Sequence, residues 1–369
     1  MPPMQGALFC PVPYTGAVQR QGWPVPVTEY EAELAEDSMA WALEQATTAD
    51  ELGFDWVSVA EHHYAPMSLT PNPMVMAGAL SQRVKRAKIA LLGSNIPIQN
   101  PVRVAEEFAM LDTLTGGRIV AGMLRGTSNE YVTYGVNPAE SRERFVEALQ
   151  LIVRAWTEPE PFGWIGRYYE YRTISIWPRP VQQPYPPIFM SISSPEMAEL
   201  AARYRINAGF AVTSVPLAKG SADLYREAAR RAGWEVGPDQ ILYRVPVHLA
   251  DTDDQAFDDL AEAAARRRSG AYSTSNQAVD EAAARAGYYG RDVEHQRGRL
   301  HLGGDLRDRL DDGRLLAGSP KLVVEQIRSI HDQLGAGIIE VIPASPTRDQ
   351  ARRTLALLGE HVLPAIRPW

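Results

Sequence analysis

NPVRVAEEFAMLDTLTGGRIVAGMLRG, residues 100–126, carries two periodicities in one stretch. Val104, Phe108 and Leu111 fall at i, i+4 and i+7, which predicts a helix over Val102–Leu114 with one apolar face. Gly116 and Gly117 close that helix, because glycine enters the left-handed conformation of a C-terminal cap without steric cost. Arg118–Leu124 follows as an apolar strand, and Lys88–Ile96 upstream is another. Strands that are apolar on both faces are covered on both sides and pair in parallel through helical crossovers.

The same unit recurs in both directions. Gly6–Cys10 is a short strand, followed by a helix with Met39, Leu43, Ala46 and Leu52 that ends near Gly53. FDWVSVAEHH opens a second strand at Phe54, and PNPMVMAGALSQRV is its helix, with proline near the start where the missing N–H costs little. Phe145, Leu149, Ile152 and Trp156 mark the helix of the fourth unit. PPIFMSIS, NAGFAV, ILYRVPVHLAD and GIIEVIP supply strands five to eight, with helices at SPEMAELAARYR, through Leu224 and Ala228, around Phe257 and Leu260, and, flanking the eighth strand, over Val323–Leu334 and Leu355–Val362. Pro246 lacks a ladder donor, so the seventh strand is expected to be bulged or shortened. Eight alternating units predict an α/β fold, a (β/α)8 TIM barrel forming one domain over residues 1–369, with a doubly wound open sheet as the alternative. Two insertions interrupt it: residues 158–187, where RYYEYRTISIWP reads as a hairpin, and residues 268–318, whose weak apolar period fits a lid and a surface loop equally.

A chain of 369 residues with 45% hydrophobic and 22% charged side chains has ordinary globular composition. Its net charge of −8 argues against nucleic acid and anionic membrane as partners, since both reward a basic face. Cys10 is the single cysteine, which rules out an intrachain disulfide and fits a reducing, cytoplasmic setting. No secretory leader and no apolar stretch of membrane-spanning length is read in the sequence.

In a barrel of this kind the chemistry sits at the C-terminal ends of the strands. That rule selects Glu61, His62, Asn95, Arg125 and Ser194. Adjacent strand residues face opposite ways, so only one of His62 and His63 is expected to face a pocket. An imidazole there can move protons near neutral pH, and Glu61 can accept a hydrogen bond from a ligand or orient a neighbouring base. A zinc centre is not expected, because HExxH is absent and His248, His295, His301, His331 and His361 show no paired ligand spacing. The G-x-S-x-G elbow and the Rossmann and P-loop glycine patterns are also absent. Ser193-Ser194-Pro195-Glu196 opens a helix directly after the fifth strand, which reads as a plain N-cap or as a phosphate site at a positive helix end. Arg125, one strand away, puts a guanidinium beside it, and together they point to a phosphorylated ligand. Arg118 reads as a solvated strand start.

GFDWVSVAEHHY (53–64), the 100–126 block and PPIFMSISSPE (186–196) resemble the bacterial luciferase-like flavin-dependent monooxygenases in order and spacing. The resemblance covers nearly the whole chain and is weakest over 268–310. It implies a barrel that binds reduced FMN, which reacts with O2 at flavin C4a and passes one oxygen atom of the (hydro)peroxide to a small apolar organic substrate. A separate NAD(P)H-dependent flavin reductase would supply the FMNH2. Carried over by position, His62 is the catalytic imidazole, Glu61 contacts the ring system, and Arg125, Ser193 and Ser194 hold the phosphate. Asn95 lies at the same strand end. Leu92 and Gly93 would form a non-prolyl cis peptide under the ring. Leu124 stands where luciferase has a cysteine, and Ser193 where it has a glutamate. The phosphate would then follow strands four and five, unlike the commonest barrel arrangement. Phe9, Trp23, Tyr168 and Trp177 are candidates for an apolar substrate lining suited to a terpene, long-chain aldehyde or polyketide-like molecule. The 268–318 segment, with Arg297, Arg299 and His301, would close over the flavin. The resemblance further implies a homodimer through the helices beside strands two and three. Two alternatives stand within the same superfamily: an F420-dependent oxidoreductase and a noncatalytic flavin-binding homologue.

Overall fold

The computed structural model describes residues 2–16, 23–211, 213–266, 281, 282, 284, 285 and 305–369. Its parallel strands are β1 (Gln5–Phe9), β2 (Trp56–Val59), β3 (Lys88–Asn95), β4 (Ile119–Leu124), β7 (Ile188–Ser191), β8 (Asn207–Ala211), β9 (Ile241–Leu249) and β11 (Ile338–Pro343), with an antiparallel hairpin of β5 (Phe162–Ile165) and β6 (Glu170–Ile174) outside the ring. They pair in that order, β8 pairs with β9, β9 with β11, and β11 returns to β1. The ring is therefore closed, a (β/α)8 barrel rather than an open sheet, and it leaves no free edge.

Local sequence explains the surrounding helices. Asn72 and Asn100 each cap a helix whose first residue is proline, α2 (Pro73–Arg83) and α3 (Pro101–Thr115), and their side-chain oxygens accept from the next free amides. Gly116 ends α3 at φ 65°. α1 (Ala32–Glu51), α5 (Ser141–Thr157), α6 (Pro195–Tyr204) and α7 (Val215–Arg231) turn their apolar faces onto the strands, α4 (Ser128–Thr133) is a short helix after β4, and α8 (Asp253–Arg266) follows β9. Phe108 of α3 is fully buried, a contribution of about 1.5–3 kcal/mol relative to exposure.

Inside the ring, alternation along each strand sends Ala7, Trp56, Ala90, Leu92, Val120, Phe189, Leu242 and Ile338 into one buried cluster. Trp56 meets Phe189 edge-on at 5.3 Å. This plug closes the lower barrel, so only the C-terminal mouth is open to a ligand. Gly122 of β4 is required by a close approach: a Cβ there would lie 2.2 Å from the Leu91 carbonyl oxygen. Gly122→Ala is expected to cost about 1–3 kcal/mol through overpacking. Gly78→Ala, in α2 with nothing within 4 Å, is expected to gain roughly 0.5–1 kcal/mol. Urea unfolding midpoints of the two variants check the contrast.

Two expectations change. Residues 305–318 are not part of an irregular excursion: they form α9 (Leu306–Asp311) and β10 (Leu316–Gly318), which pairs with β9 at Val247–Leu249. The remainder of 268–318, with Arg297, Arg299 and His301, lies outside the described residues apart from 281, 282, 284 and 285. The seventh strand is neither bulged nor shortened at Pro246. Val247 O accepts from Ala344 N on one side, so by alternation the Pro246 nitrogen faces the other. There β8 has ended at Arg244 and β10 has not begun until Val247, so no donor is missed. The 158–187 insertion is a hairpin as expected, fastened to α5 by Glu147, which accepts from the Trp164 indole and from the amides of Arg167, Tyr168 and Tyr169. The wall continues with α10 (Pro320–Leu334) and α11 (Arg348–Leu357), and a one-turn helix over Leu363–Ile366 follows.

Candidate functional site

The mouth is organised first by Glu61, directly beyond β2. Its carboxylate is buried, with one oxygen 3.0 Å from His63 Nε2 and the other accepting from Asn95 N at 3.0 Å and Gln99 Nε2 at 2.8 Å. It thus ties the ends of β2 and β3 together. The two histidines diverge, as alternation requires. His63 is buried between Tyr64 and Tyr134, and its carbonyl accepts from the Trp23 indole. His62 keeps 26% of its side chain exposed, and its Nδ1 lies 3.7 Å from Glu130 Oε1. Glu61 therefore orients His63, while His62 is backed by a residue that sequence reasoning missed.

Glu130 belongs to α4, where Thr127 donates its amide and hydroxyl to Glu130 Oε2 in a capping box. Burial pushes this carboxyl upward, but the His62 imidazole and the Thr127 donors more than offset that and hold it below the usual carboxylate range. A depressed carboxyl contributes stability above its unfolded pKa and loses it as pH falls through the folded value. The stability gap between wild type and Glu130→Gln is accordingly expected to be full at about pH 7 and to shrink as pH falls below the ordinary carboxylate range, measured by thermal unfolding at each pH. Next to it, Asn129 is 1% exposed with neither Nδ2 nor Oδ1 hydrogen-bonded, and His62 Nδ1 is likewise buried without a hydrogen bond. An amide that can make several hydrogen bonds and makes none is a demand for a polar ligand.

Arg125 follows β4, and its carbonyl accepts from the Tyr131 hydroxyl. At the end of the adjacent strand β7, Ser194 caps α6 by accepting from Met197 N at 3.4 Å. Glu196 lies on the same first turn. Its carboxyl is held below the usual range by the Ser194 hydroxyl and its own amide, against a small opposing effect of burial, and Arg142 is 3.5 Å away. Arg142 adds a second guanidinium that the sequence did not single out. In β3, on the other side of β4, Leu92 and Gly93 form a cis peptide, as the resemblance implied, and Gly93 packs against Leu124 so closely that a Cβ would fall 2.3 Å from it. Asn95 sits beside Gly126.

Not every aromatic candidate faces the mouth. Trp177 is 86% exposed, and Tyr168 lies on the outer hairpin with its hydroxyl on Glu143, so neither lines the cavity. Aromatic content marked the hairpin, but not the direction of its side chains. Trp23 is buried, and Phe9 lies inside the barrel under the Arg244 guanidinium at 4.1 Å. Arg118 donates to the Ala87 and Thr115 carbonyls rather than standing in solvent.

Residues 5–336 match the family model of the luciferase-like monooxygenases. The chain belongs to this family. Among the relatives of this luciferase-like protein, 4-hydroxyprotoasukamycin monooxygenase of Streptomyces nodosus subsp. asukaensis is 30% identical over 245 residues, 61% of this chain and 63% of that one. The match thus spans less than two thirds of that relative's length. The F420-dependent glucose-6-phosphate dehydrogenase of Nakamurella multipartita is 29% identical over 342 residues, 87% of this chain and 91% of that one. The oxygenating constituent of 3,6-diketocamphane monooxygenase from Pseudomonas putida, solved in complex with FMN, superimposes with a TM-score of 0.74 at 21% identity, covering 99% of each chain. The relatives are oxidoreductases that work with flavin or with F420. Among the described residues no helix is long and apolar enough to cross a membrane.

The residues present fit a phosphorylated flavin-type ring. The unpartnered Asn129 amide asks for polar contacts, and Leu92, Gly93 and Leu124, packed together, bring no side-chain charge. Arg125, Ser193 and Arg142 bring cationic and hydroxyl groups to the ends of β4 and β7.

Proposed function

We propose that this protein is the oxygenase component of a two-component flavin-dependent monooxygenase, using FMNH2 from a separate NAD(P)H-dependent flavin reductase and O2 to oxygenate a small apolar organic substrate. The observation that carries the reading is the His62–Glu130 pair at the same barrel mouth as the Arg125 and Ser193 groups. Reduced flavin, when bound, supplies the electrons that activate O2. Arg125, Ser193 and Ser194 hold the phosphate; Leu92, Gly93, Asn95 and Leu124 border the ring. Glu130 is ionised at neutral pH and favours the Nδ1–H tautomer of His62, which leaves Nε2 as the acceptor that takes up or returns a proton. Glu61 contributes by fixing the ends of β2 and β3, and Trp23 and Phe9 help exclude water. Cys10 takes no part as a nucleophile, because burial pushes its thiol up to about 12.

Val75, Met110 and Leu114 leave apolar side chains in solvent on α2 and α3, which supports a homodimer through that face. A cytoplasmic location accords with the single buried thiol. An F420-dependent oxidoreductase is the second reading, favoured by the match of 29% identity over 87% of the chain to an F420-dependent dehydrogenase. Arg125→Ala is expected to weaken FMN by roughly tenfold or more while leaving riboflavin nearly unchanged, because only FMN carries the phosphate. Quenching of flavin fluorescence measures both constants; equal losses for the two ligands would move the phosphate elsewhere. Parallel anaerobic titrations with FMNH2 and reduced F420 separate the two cofactor readings.

A further inference from the structure

A second charged cluster lies inside the barrel, outside the site just described. Arg244 of β9 points inward, as its neighbour but one, Leu242, does. Its Nε donates to Glu340 of β11, and its Nη2 donates to the Leu92 carbonyl of β3 at 3.1 Å. Ser58 of β2 donates to the other Glu340 oxygen. One face of the guanidinium lies 4.1 Å from the Phe9 ring centre. Residues of β1, β2, β3, β9 and β11 are therefore joined across the lumen by one planar cation.

Three features separate this cluster from a stability device. Glu340 and Ser58 are 0% exposed, yet the Arg244 side chain is 12% exposed. Below it the plug of Trp56, Phe189, Leu242 and Ile338 is closed, so that exposure opens upward into the mouth. Nη1 makes no hydrogen bond among the described residues, although an Arg head carries five donors. A buried ion pair replaced by apolar side chains is often neutral or stabilising, so folding alone gives little reason for this one. Because Glu340 neutralises the charge, the open donor suits a neutral acceptor better than an anion. Nη2 already holds such an acceptor, the Leu92 carbonyl.

We propose that Arg244 is the floor of the barrel mouth and donates a hydrogen bond from Nη1 to a carbonyl oxygen of the pyrimidinedione ring that FMN and F420 share. This rests on the reading that a flavin or deazaflavin ring binds at the mouth, but not on which of the two it is. Glu340 and Ser58 are positioning residues that hold the guanidinium in plane.

The test uses the full-length protein and two variants, Arg244→Met and the double variant Arg244→Met with Glu340→Gln. The second avoids leaving a buried carboxylate unpaired and so guards against loss of folding. Each is titrated with oxidised FMN, riboflavin and F420 by fluorescence, and the ring carbonyl stretches of the bound ligand are recorded by infrared difference spectroscopy. The expected result is a roughly equal loss for FMN and riboflavin, about tenfold, together with an upward shift of one carbonyl stretch in both variants. Unchanged carbonyl stretches in the double variant would overturn the proposal even if affinity fell, since that would be a purely structural effect. If wild type binds F420 and not FMN, the FMN reading fails and Arg244 is judged on the F420 carbonyl stretches. If wild type binds none of the three, the proposal falls together with the reading beneath it.

Discussion

Replacing His62 with alanine is expected to lower turnover by about 10²–10⁴-fold while leaving the FMN dissociation constant within about twofold of wild type. Of Glu61, His62 and His63, only His62 keeps an exposed portion, and the buried Glu130 carboxylate stands behind its Nδ1 at 3.7 Å. That arrangement holds a proton acceptor at Nε2 without making His62 part of the scaffold. His63, by contrast, is enclosed by Glu61, Tyr64 and Tyr134. A His63→Ala variant should therefore lose stability, whereas His62→Ala should lose rate. Steady-state oxygen uptake with FMNH2, set beside fluorescence titration and thermal unfolding of both variants, reads the distinction. A His62→Ala variant with wild-type turnover would remove that residue from the mechanism.

The largest effect on stability is expected at Glu61. Glu61→Ala strips the acceptor from Asn95 N, Gln99 Nε2 and His63 Nε2 in one step, all in a site where little water reaches. Each stranded buried donor costs about 1–3 kcal/mol, and the losses are not additive, so a total of about 3–5 kcal/mol is expected. Glu61→Gln keeps one acceptor oxygen and should recover part of it. The same variant should weaken flavin binding, because the carboxylate sets the position of Asn95 at the end of β3. Urea unfolding followed by fluorescence checks the order wild type, Gln, Ala; an alanine variant as stable as wild type would show that the clamp between β2 and β3 is dispensable.

The parts of this fold that were legible in the sequence are those specified by local pattern. Val104, Phe108 and Leu111 announce one face of α3, and all are buried as expected. The alternation at His62 and His63 follows from strand geometry alone. Residues 305–318 escaped because three strand residues, Leu316–Gly318, are too few to establish a period and are recognised only through their pairing with Val247–Leu249. Glu130 was overlooked because α4 is a six-residue helix whose role depends on a neighbour from another strand end. Arg244 and Glu340 lie 96 residues apart, on strands of the same ring, and no linear spacing reveals that their side chains meet in the lumen. Ser194 opens α6 as its place before Pro195 indicates, and Glu196 on the same turn shows that a positive helix end can be partly satisfied by its own chain.

The most direct test mixes the protein loaded anaerobically with FMNH2 against oxygenated buffer and follows dissolved oxygen and oxidised-FMN absorbance together. The account predicts that oxygen is consumed before the oxidised-flavin absorbance returns, with a lag absent for free FMNH2 and altered in His62→Ala. Absorbance that rises in step with oxygen loss, at the rate of free FMNH2, would contradict it.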